Sequence, residues 1–299
     1  MKTLFIWLKA SRLASQSYIF LPLLLGQSIA WSQTGIWDWK VFALVQLFGL
    51  FDQFYIVYAN DYADYATDRL NQTYTIFSGG SRVLADQEMP PEHLKIAACV
   101  MAFLSLGCGV ALGVFAGRWG TVPLIGGGLL LLWMYSYPPV RLSYRGGGEW
   151  LQMLGVGVIL PLVGYYAQTG EWRFPMEWML VILPTQLACS ISTSLPDEPS
   201  DQLSGKKTVP VTRGALTAKI MILGLHSLSS ISWIVLTWNW TGMTMFQILL
   251  VPLASMLVSL FWIKARPGDK GMTVFVFFQI LCTLSWMAGI TAIHFYGWR

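Results

Sequence analysis

The segment Asn60-Asp61-Tyr62-Ala63-Asp64-Tyr65-Ala66-Thr67-Asp68 sets three carboxylates and a carboxamide at the end of a long apolar run. On a helix, at about 100° per residue, Asn60, Asp61, Asp64 and Asp68 fall within an arc of roughly 100°. Like charges on one face repel and call for a counter-charge. Mg²⁺ is the usual remedy, because it takes oxygen ligands and shares them with substrate phosphates. The spacing therefore predicts a metal–diphosphate site at a membrane boundary, against the simpler alternative of a solvated acidic helix end. A second acidic pair, Asp197 and Asp201, lies in Leu195-Pro196-Asp197-Glu198-Pro199-Ser200-Asp201. Its i,i+4 spacing puts both carboxylates on one helical face. Pro199 fits only a first turn, so a short helix is expected to begin here with Asp197 near its N-cap. Capping is the alternative role for Asp197.

Cations follow both acidic segments. Gly79-Gly80-Ser81-Arg82 comes after the first, and Gly205-Lys206-Lys207-Thr208 and Arg213 after the second. A diphosphate meets acidic residues through Mg²⁺ and meets Lys and Arg directly. Membrane topology alone could also place these cations, and it accounts for Lys264, Arg266 and Lys270. A third stretch runs from Tyr135 through Pro138-Pro139 to Arg141, Tyr144, Arg145, Gly146-Gly147-Gly148 and Glu149. Within it Tyr137 and Arg141 bound a Tyr-x-x-x-Arg unit, which reads either as an active-site cap or as a turn between spans.

The elements that must carry these groups are membrane helices. The 299 residues are 55% hydrophobic and only 11% charged, against roughly 25% charged in soluble domains. The net charge of +4 is scattered and argues against a nucleic-acid partner. Cys99, Cys108, Cys189 and Cys282 lie in apolar stretches without a CxxC pattern, so they read as packing residues. Apolar stretches at 15–33, 40–59, 93–117, 120–137, 149–169, 176–195, 215–238, 244–263 and 272–296 predict nine spans. The first is read as a retained span, since Ala30-Trp31-Ser32 makes a poor cleavage site. Gly126-Gly127-Gly128 and Gly155/Gly157 are expected to permit close helix contacts. With the N-terminus inside, only Lys40, Arg118, Arg173 and Arg299 fall on the outer side. That bias places the N-terminus and the polar loops 60–92 and 196–214 in the cytoplasm and the C-terminus outside.

With these motifs at this separation, the chain resembles the UbiA superfamily of intramembrane prenyltransferases over nearly its whole length. Gly80-Ser81-Arg82-Val83-Leu84, Tyr144-Arg145-Gly146 through Glu149, and Gly205-Lys206-Lys207-Thr208 look most like the branch that prenylates 1,4-dihydroxy-2-naphthoate in menaquinone or phylloquinone synthesis. One departure is Ser192-Thr193-Ser194 before the second motif, where relatives often have asparagine.

The resemblance implies an all-α, polytopic membrane protein, a single domain over 1–299 with nine helices around a central cavity under cytoplasmic cap loops. It implies that Asn60, Asp61, Asp64, Asp68, Asp197 and Asp201 hold Mg²⁺ on an allylic isoprenyl diphosphate. Asn60, Arg82, Lys206, Lys207 and Arg145 would bind that diphosphate. Asp64, Asp68, Asp197, Asp201, Tyr137 and Arg141 form the implied catalytic set, with Tyr137 near the reacting carbon. The acceptor would be aromatic, and for dihydroxynaphthoate loss of carbon dioxide would accompany prenylation. The membrane would be a bacterial inner membrane. A terpene cyclase acting on the donor alone is the alternative, and a cation transporter ranks lower because its acids would sit nearer the midplane. Asp52, inside the second expected span, would be protonated or paired with Gln46 or Gln53. His226 and His294 read as packing residues. The acceptor, the chain length and the oligomeric state stay open.

Overall fold

A computed structural model describes the backbone of residues 2–239 and 242–297, and side chains over 3–239 and 246–297. Among the described residues the protein is helical, with one isolated bridge between Thr75 and Ser78 and no strand. Helices satisfy their own backbone groups, the condition a bilayer imposes.

A helix lies over each expected stretch, but the helices are not equivalent. Six are long and apolar enough to cross a membrane: Thr3–Thr34, Trp39–Ala63, Pro91–Ala116, Gly148–Thr169, Ala215–Leu236 and Lys270–Tyr296. Met176–Ser194 bends by 77° into Glu198–Ser204. The Pro196 and Pro199 rings, which cannot continue a helix interior, stand at that bend. Thr121–Ser136 and Phe246–Trp262 are shorter apolar helices. These segments make the chain an integral membrane protein. Arg299, counted above on the outer side, and the side chain of Lys2 lie outside the described residues.

The chain forms two compact units. The first comprises Met1–Leu70, Gly79–Leu142 and Ile159–Phe174. Here Trp39–Ala63 packs along Pro91–Ala116, and Ser17–Thr34 packs on Leu160–Thr169. The second contact is a backbone-to-backbone approach. A Cβ on Gly26 would overlap the Pro161 carbonyl, and one on Gly164 would overlap the Leu23 carbonyl. The expectation for Gly126-Gly127-Gly128 is corrected: a Cβ on Gly126 or Gly127 would meet open space, and one on Gly128 would make only an ordinary contact with Ile159. A triplet of glycines is conspicuous in sequence, but only a helix crossing makes a missing side chain useful. Gln46 Nε2 donates to Gln27 Oε1 at 2.9 Å, so it is engaged there rather than by the buried Asp52.

The second unit comprises Asn71–Ser78, Ser143–Val158 and Pro175–Arg299. Met179–Ser194 packs on Ala215–Leu236 and on Lys270–Tyr296. Trp233 stands between Trp178 and Trp286, with ring centroids 6.0 and 5.6 Å away. A Cβ on Gly157 would press on Gln186 and Leu183 at 3.3 Å, the close approach its sequence position led one to expect. Lys219 is fully buried. Its ammonium donates to the carbonyls of Trp262 (3.1 Å), Ile263 (3.1 Å) and Ala265 (2.6 Å). A cation at a helix C-terminus satisfies carbonyls that have no intrahelical partner. His226 and His294 are buried packing residues: His226 Nδ1 meets Thr185 Oγ1 at 3.0 Å, and His294 stands edge-on to Trp178.

The helix crossing gives a direct test. Gly26→Val should destabilise the protein by at least about 1–3 kcal/mol through overpacking. Gly126→Ala should leave it near wild type. Thermal unfolding in detergent, followed by tryptophan fluorescence, separates the two.

Candidate active site

The first acidic segment closes the Trp39–Ala63 helix. That helix ends at Ala63, Asp64 is its C-cap, and Tyr65–Leu70 follows as a short helix. The single continuous helix assumed for the four side chains is thus corrected to two helices with an irregular residue between them. The i→i+4 pattern nevertheless continues, because Asp64 N donates to Asn60 O and Asp68 N to Asp64 O, both at 2.8 Å.

Each side chain then has an identifiable neighbour. Asn60 Nδ2 donates to Asp64 Oδ2 at 2.9 Å, so the carboxamide and this carboxylate act as one element. Asp61 is buried. Its Oδ2 accepts the Ser81 backbone N–H at 2.9 Å and also the Ser81 hydroxyl. Its Oδ1 is buried and has no hydrogen-bond partner among the described residues. Gly80 lies between Asp61 and Asp68. A Cβ there would overlap Asp68 Oδ2 and press on Asp61 Oδ1 at 3.0 Å, and the backbone φ of +68° already favours glycine. The loop 79–82 therefore lies against the carboxylates because residue 80 has no side chain.

Arg82 belongs to the same neighbourhood. Its Nη1 donates to the Asp68 carbonyl and its Nη2 reaches Asp86 Oδ1 at 3.4 Å. The guanidinium thus fixes the end of the acidic segment to the loop. Tyr137 donates its hydroxyl to the Ala59 carbonyl at 2.7 Å, immediately before Asn60. Arg141 has a left-handed backbone (φ 45°), and its N–H donates to the Tyr137 carbonyl at 2.9 Å. The Tyr-x-x-x-Arg unit is a turn that braces the acidic helix end.

The second acidic segment lies in the other unit and has its own partners. Asp197 is the N-cap residue of Glu198–Ser204, and Pro199 lies in the first turn, as expected. The Asp197 side chain makes no capping hydrogen bond. Instead its Oδ1 accepts from Asn71 Nδ2 at 2.7 Å. Asn71 is itself held by Thr73, whose backbone N–H donates to its Oδ1 at 2.9 Å, while Thr73 Oγ1 donates to the Pro196 carbonyl at 2.6 Å. Asp201 and Lys206 are both buried, with Lys206 Nζ 3.7 Å from Asp201 Oδ1 and above the Tyr144 ring at 5.6 Å. An exposed pair is worth about 0.2–1 kcal/mol. Burying two ions costs several kcal/mol each before their attraction is counted. Stability alone is a poor reason for this pair.

The loops of this unit are tied together. Glu149 is buried and its Oε1 accepts the Val209 N–H at 2.6 Å, and Lys207 N donates to Ser143 O at 3.2 Å. Lys207 and Arg145 are exposed and have surroundings different from those of Lys206. Asn71, Ser81 and Glu149 were not singled out as site residues by motif reasoning. A small polar side chain just beyond an acidic motif is a weak signal, and only folding brings it to a carboxylate. Among the described residues no three carboxylate, imidazole or thiol side chains converge into a ready-made metal cage. The available donors are hard oxygens, a set that suits Mg²⁺ only with waters or substrate phosphates completing the shell.

Residues 19–288 match the sequence profile of the UbiA prenyltransferase family. The chain belongs to this family. It is a prenyltransferase and an integral membrane enzyme. Among curated relatives, this UbiA protein is 23% identical over 233 residues to a 2-carboxy-1,4-naphthoquinone phytyltransferase of Synechocystis, a match covering 76% of this chain and 73% of the relative. It is 25% identical over 227 residues to a 1,4-dihydroxy-2-naphthoate octaprenyltransferase of Bacillus subtilis, covering 72% and 68%. Its fold is that of a UbiA homolog from Archaeoglobus fulgidus whose structure was solved with GPP and Mg²⁺ bound. That likeness has a TM-score of 0.71 at 18% identity, covering 96% of this chain and 99% of the other.

The Gly80 contact makes the geometry testable without removing any carboxylate. Gly80→Ala should lower prenyl transfer at least about 10-fold while the protein remains monodisperse, because the new methyl displaces Asp68 and Asp61. Wild-type turnover in this variant would show that the loop does not position the acids.

Proposed function

We propose that this UbiA enzyme transfers an isoprenyl chain from an allylic diphosphate to an aromatic acceptor, 1,4-dihydroxy-2-naphthoate, with loss of carbon dioxide, in menaquinone or phylloquinone synthesis. The observation that carries the reading is the buried Asp61 carboxylate at a membrane-helix end. One oxygen is held by Ser81 and the other has no donor among the described residues. That is an acceptor set a cation would complete. The two naphthoate-prenylating relatives support the acceptor class.

In this reading the chain is one domain over 1–299, a ring of nine helices around a cavity under cytoplasmic cap loops, in a bacterial inner membrane with the C-terminus outside. Asn60, Asp61, Asp64, Asp68, Asp197 and Asp201 would hold Mg²⁺. When bound, the metal acts as a Lewis acid that neutralises charge developing on the departing diphosphate. Asn60 orients Asp64 through their hydrogen bond. Ser81 fixes one Asp61 oxygen and so leaves the other available. Lys206, held by Asp201 against Tyr144, offers a cation to the diphosphate. Arg82 and the Tyr137–Arg141 turn keep the acidic helix end in place. They act here as positioning residues more than as direct ligands. Tyr faces stabilise an allylic cation by roughly 0.5–2 kcal/mol each, and loop closure excludes the water that would trap it. The acceptor ring then attacks the allylic carbon and loses its carboxylate as carbon dioxide, leaving the prenylated ring.

The decisive assay combines the detergent-purified protein, Mg²⁺, a mixture of allylic diphosphates and a panel of aromatic acids, read by mass spectrometry. A prenylated, decarboxylated naphthoate is expected, lost on chelation with EDTA and restored by Mg²⁺. Asp64→Ala and Asp197→Ala should each lower turnover at least about 100-fold, since several kcal/mol of charge stabilisation is removed, with thermal unfolding close to wild type. Diphosphate release with only a hydrocarbon or terpene alcohol would instead identify a cyclase.

A further inference from the structure

Within the second unit, Arg145, Lys207 and Arg213 line one pocket of about 480 Å³. All three are exposed, and none has an ion-pair partner among the described residues. The acid in the lining, Glu149, is buried and engaged by the Val209 N–H at 2.6 Å. Three cations against one buried carboxylate leave the lining net positive, so the pocket favours an anion. Lys206 does not share it, being buried against Asp201. Neighbours in sequence, Lys206 and Lys207 thus serve different surroundings.

The rest of the lining narrows the ligand. Trp150 (56% exposed) stands in the first turn of Gly148–Thr169, and Met221 (40% exposed) in the second turn of Ala215–Leu236. Both helices are long and apolar enough to cross a membrane, so the pocket combines cationic and apolar side chains at the ends of two such helices. Tryptophan beside Lys and Arg at that depth matches a lipid headgroup with the start of its acyl chains. A free phosphate would gain nothing from Trp150 and Met221. A metal-bound diphosphate would need available carboxylates, and the lining offers only the engaged Glu149.

We propose that this pocket binds the phosphate headgroup of an anionic membrane lipid. The lipid bridges the 145–150 stretch to the 207–213 segment, adding to the Glu149–Val209 and Lys207–Ser143 hydrogen bonds. This goes beyond the transferase reading and does not depend on the identity of its acceptor.

The test exchanges the full-length detergent-solubilised protein into mixtures of phosphatidylglycerol and phosphatidylcholine and counts retained lipid by native mass spectrometry. Wild type should keep phosphatidylglycerol in preference to phosphatidylcholine. Arg213→Gln should weaken that retention about 5-fold, and the Arg145→Gln/Lys207→Gln/Arg213→Gln variant about 100-fold. The exposed positions should leave all variants monodisperse, and the single variant keeps the test valid if the triple one does not fold. Equal retention of both lipids, or equal phosphatidylglycerol retention in wild type and Arg213→Gln, would overturn the proposal. Displacement by millimolar inorganic phosphate would assign the pocket to a soluble anion. Displacement by geranyl diphosphate with Mg²⁺ would assign it to the donor. Either displacement overturns the lipid assignment.

Discussion

A carboxylate withdrawn from water is the constraint on which the functional parts of this enzyme depend. Asp61 and Asp201 are almost inaccessible to solvent, in a chain whose surroundings are largely hydrocarbon. A buried charge must be compensated or it will not be buried as a charge. The two segments meet that demand with different groups. Asp61 takes a backbone N–H and a hydroxyl from Ser81. Asp201 takes the ammonium of Lys206, and Asp197 the carboxamide of Asn71. In each case the compensating group comes from a loop beyond the acidic helix end, which makes those loops part of the candidate site.

The loops can do this because their backbones leave regular geometry at defined points. Gly80 adopts a left-handed conformation and carries no Cβ, so the chain passes directly beside Asp61 and Asp68. Asp64 interrupts one helix and the Pro196–Pro199 segment bends another by 77°. Irregular backbone is costly inside a bilayer unless other groups satisfy it. Here side chains such as Thr73, Arg82 and Tyr137 supply hydrogen bonds to carbonyls at these breaks. Lys219 does the same at a place with no role in the proposed chemistry. An intramembrane cation can therefore be a structural cap, and charge in a span is not by itself a mark of function.

The close approach at Gly26 and Gly164 shows the same economy in the apolar part of the protein. Lipid tails are as apolar as leucine, so membrane helices gain their specificity from close packing more than from hydrophobicity. Two single glycines on separate helices let backbone carbonyls come within van der Waals reach of the opposite helix. The more conspicuous triplet Gly126-Gly127-Gly128 contributes no such contact.

By itself the sequence determined the chain's solvent and its chemistry. Long apolar stretches dictate helices, since only helices or closed barrels satisfy the backbone in lipid. The acidic pairs at helix ends, with cations close behind, carried the family resemblance and hence the transferase. Proline placement also located the short helix at Asp197, because Pro199 tolerates only a first turn. Tertiary structure decided what each polar group does there. Spacing could not distinguish Lys206 from Lys207, yet one lies buried on Asp201 and the other lines a separate exposed pocket. Nor could it tell that Tyr137 and Arg82 donate to backbone carbonyls, or that Gly26 and not Gly126 sits in a crossing. Periodicity is a property of one element. Burial, partners and close approach are properties of two elements meeting, and they exist only once the chain has folded.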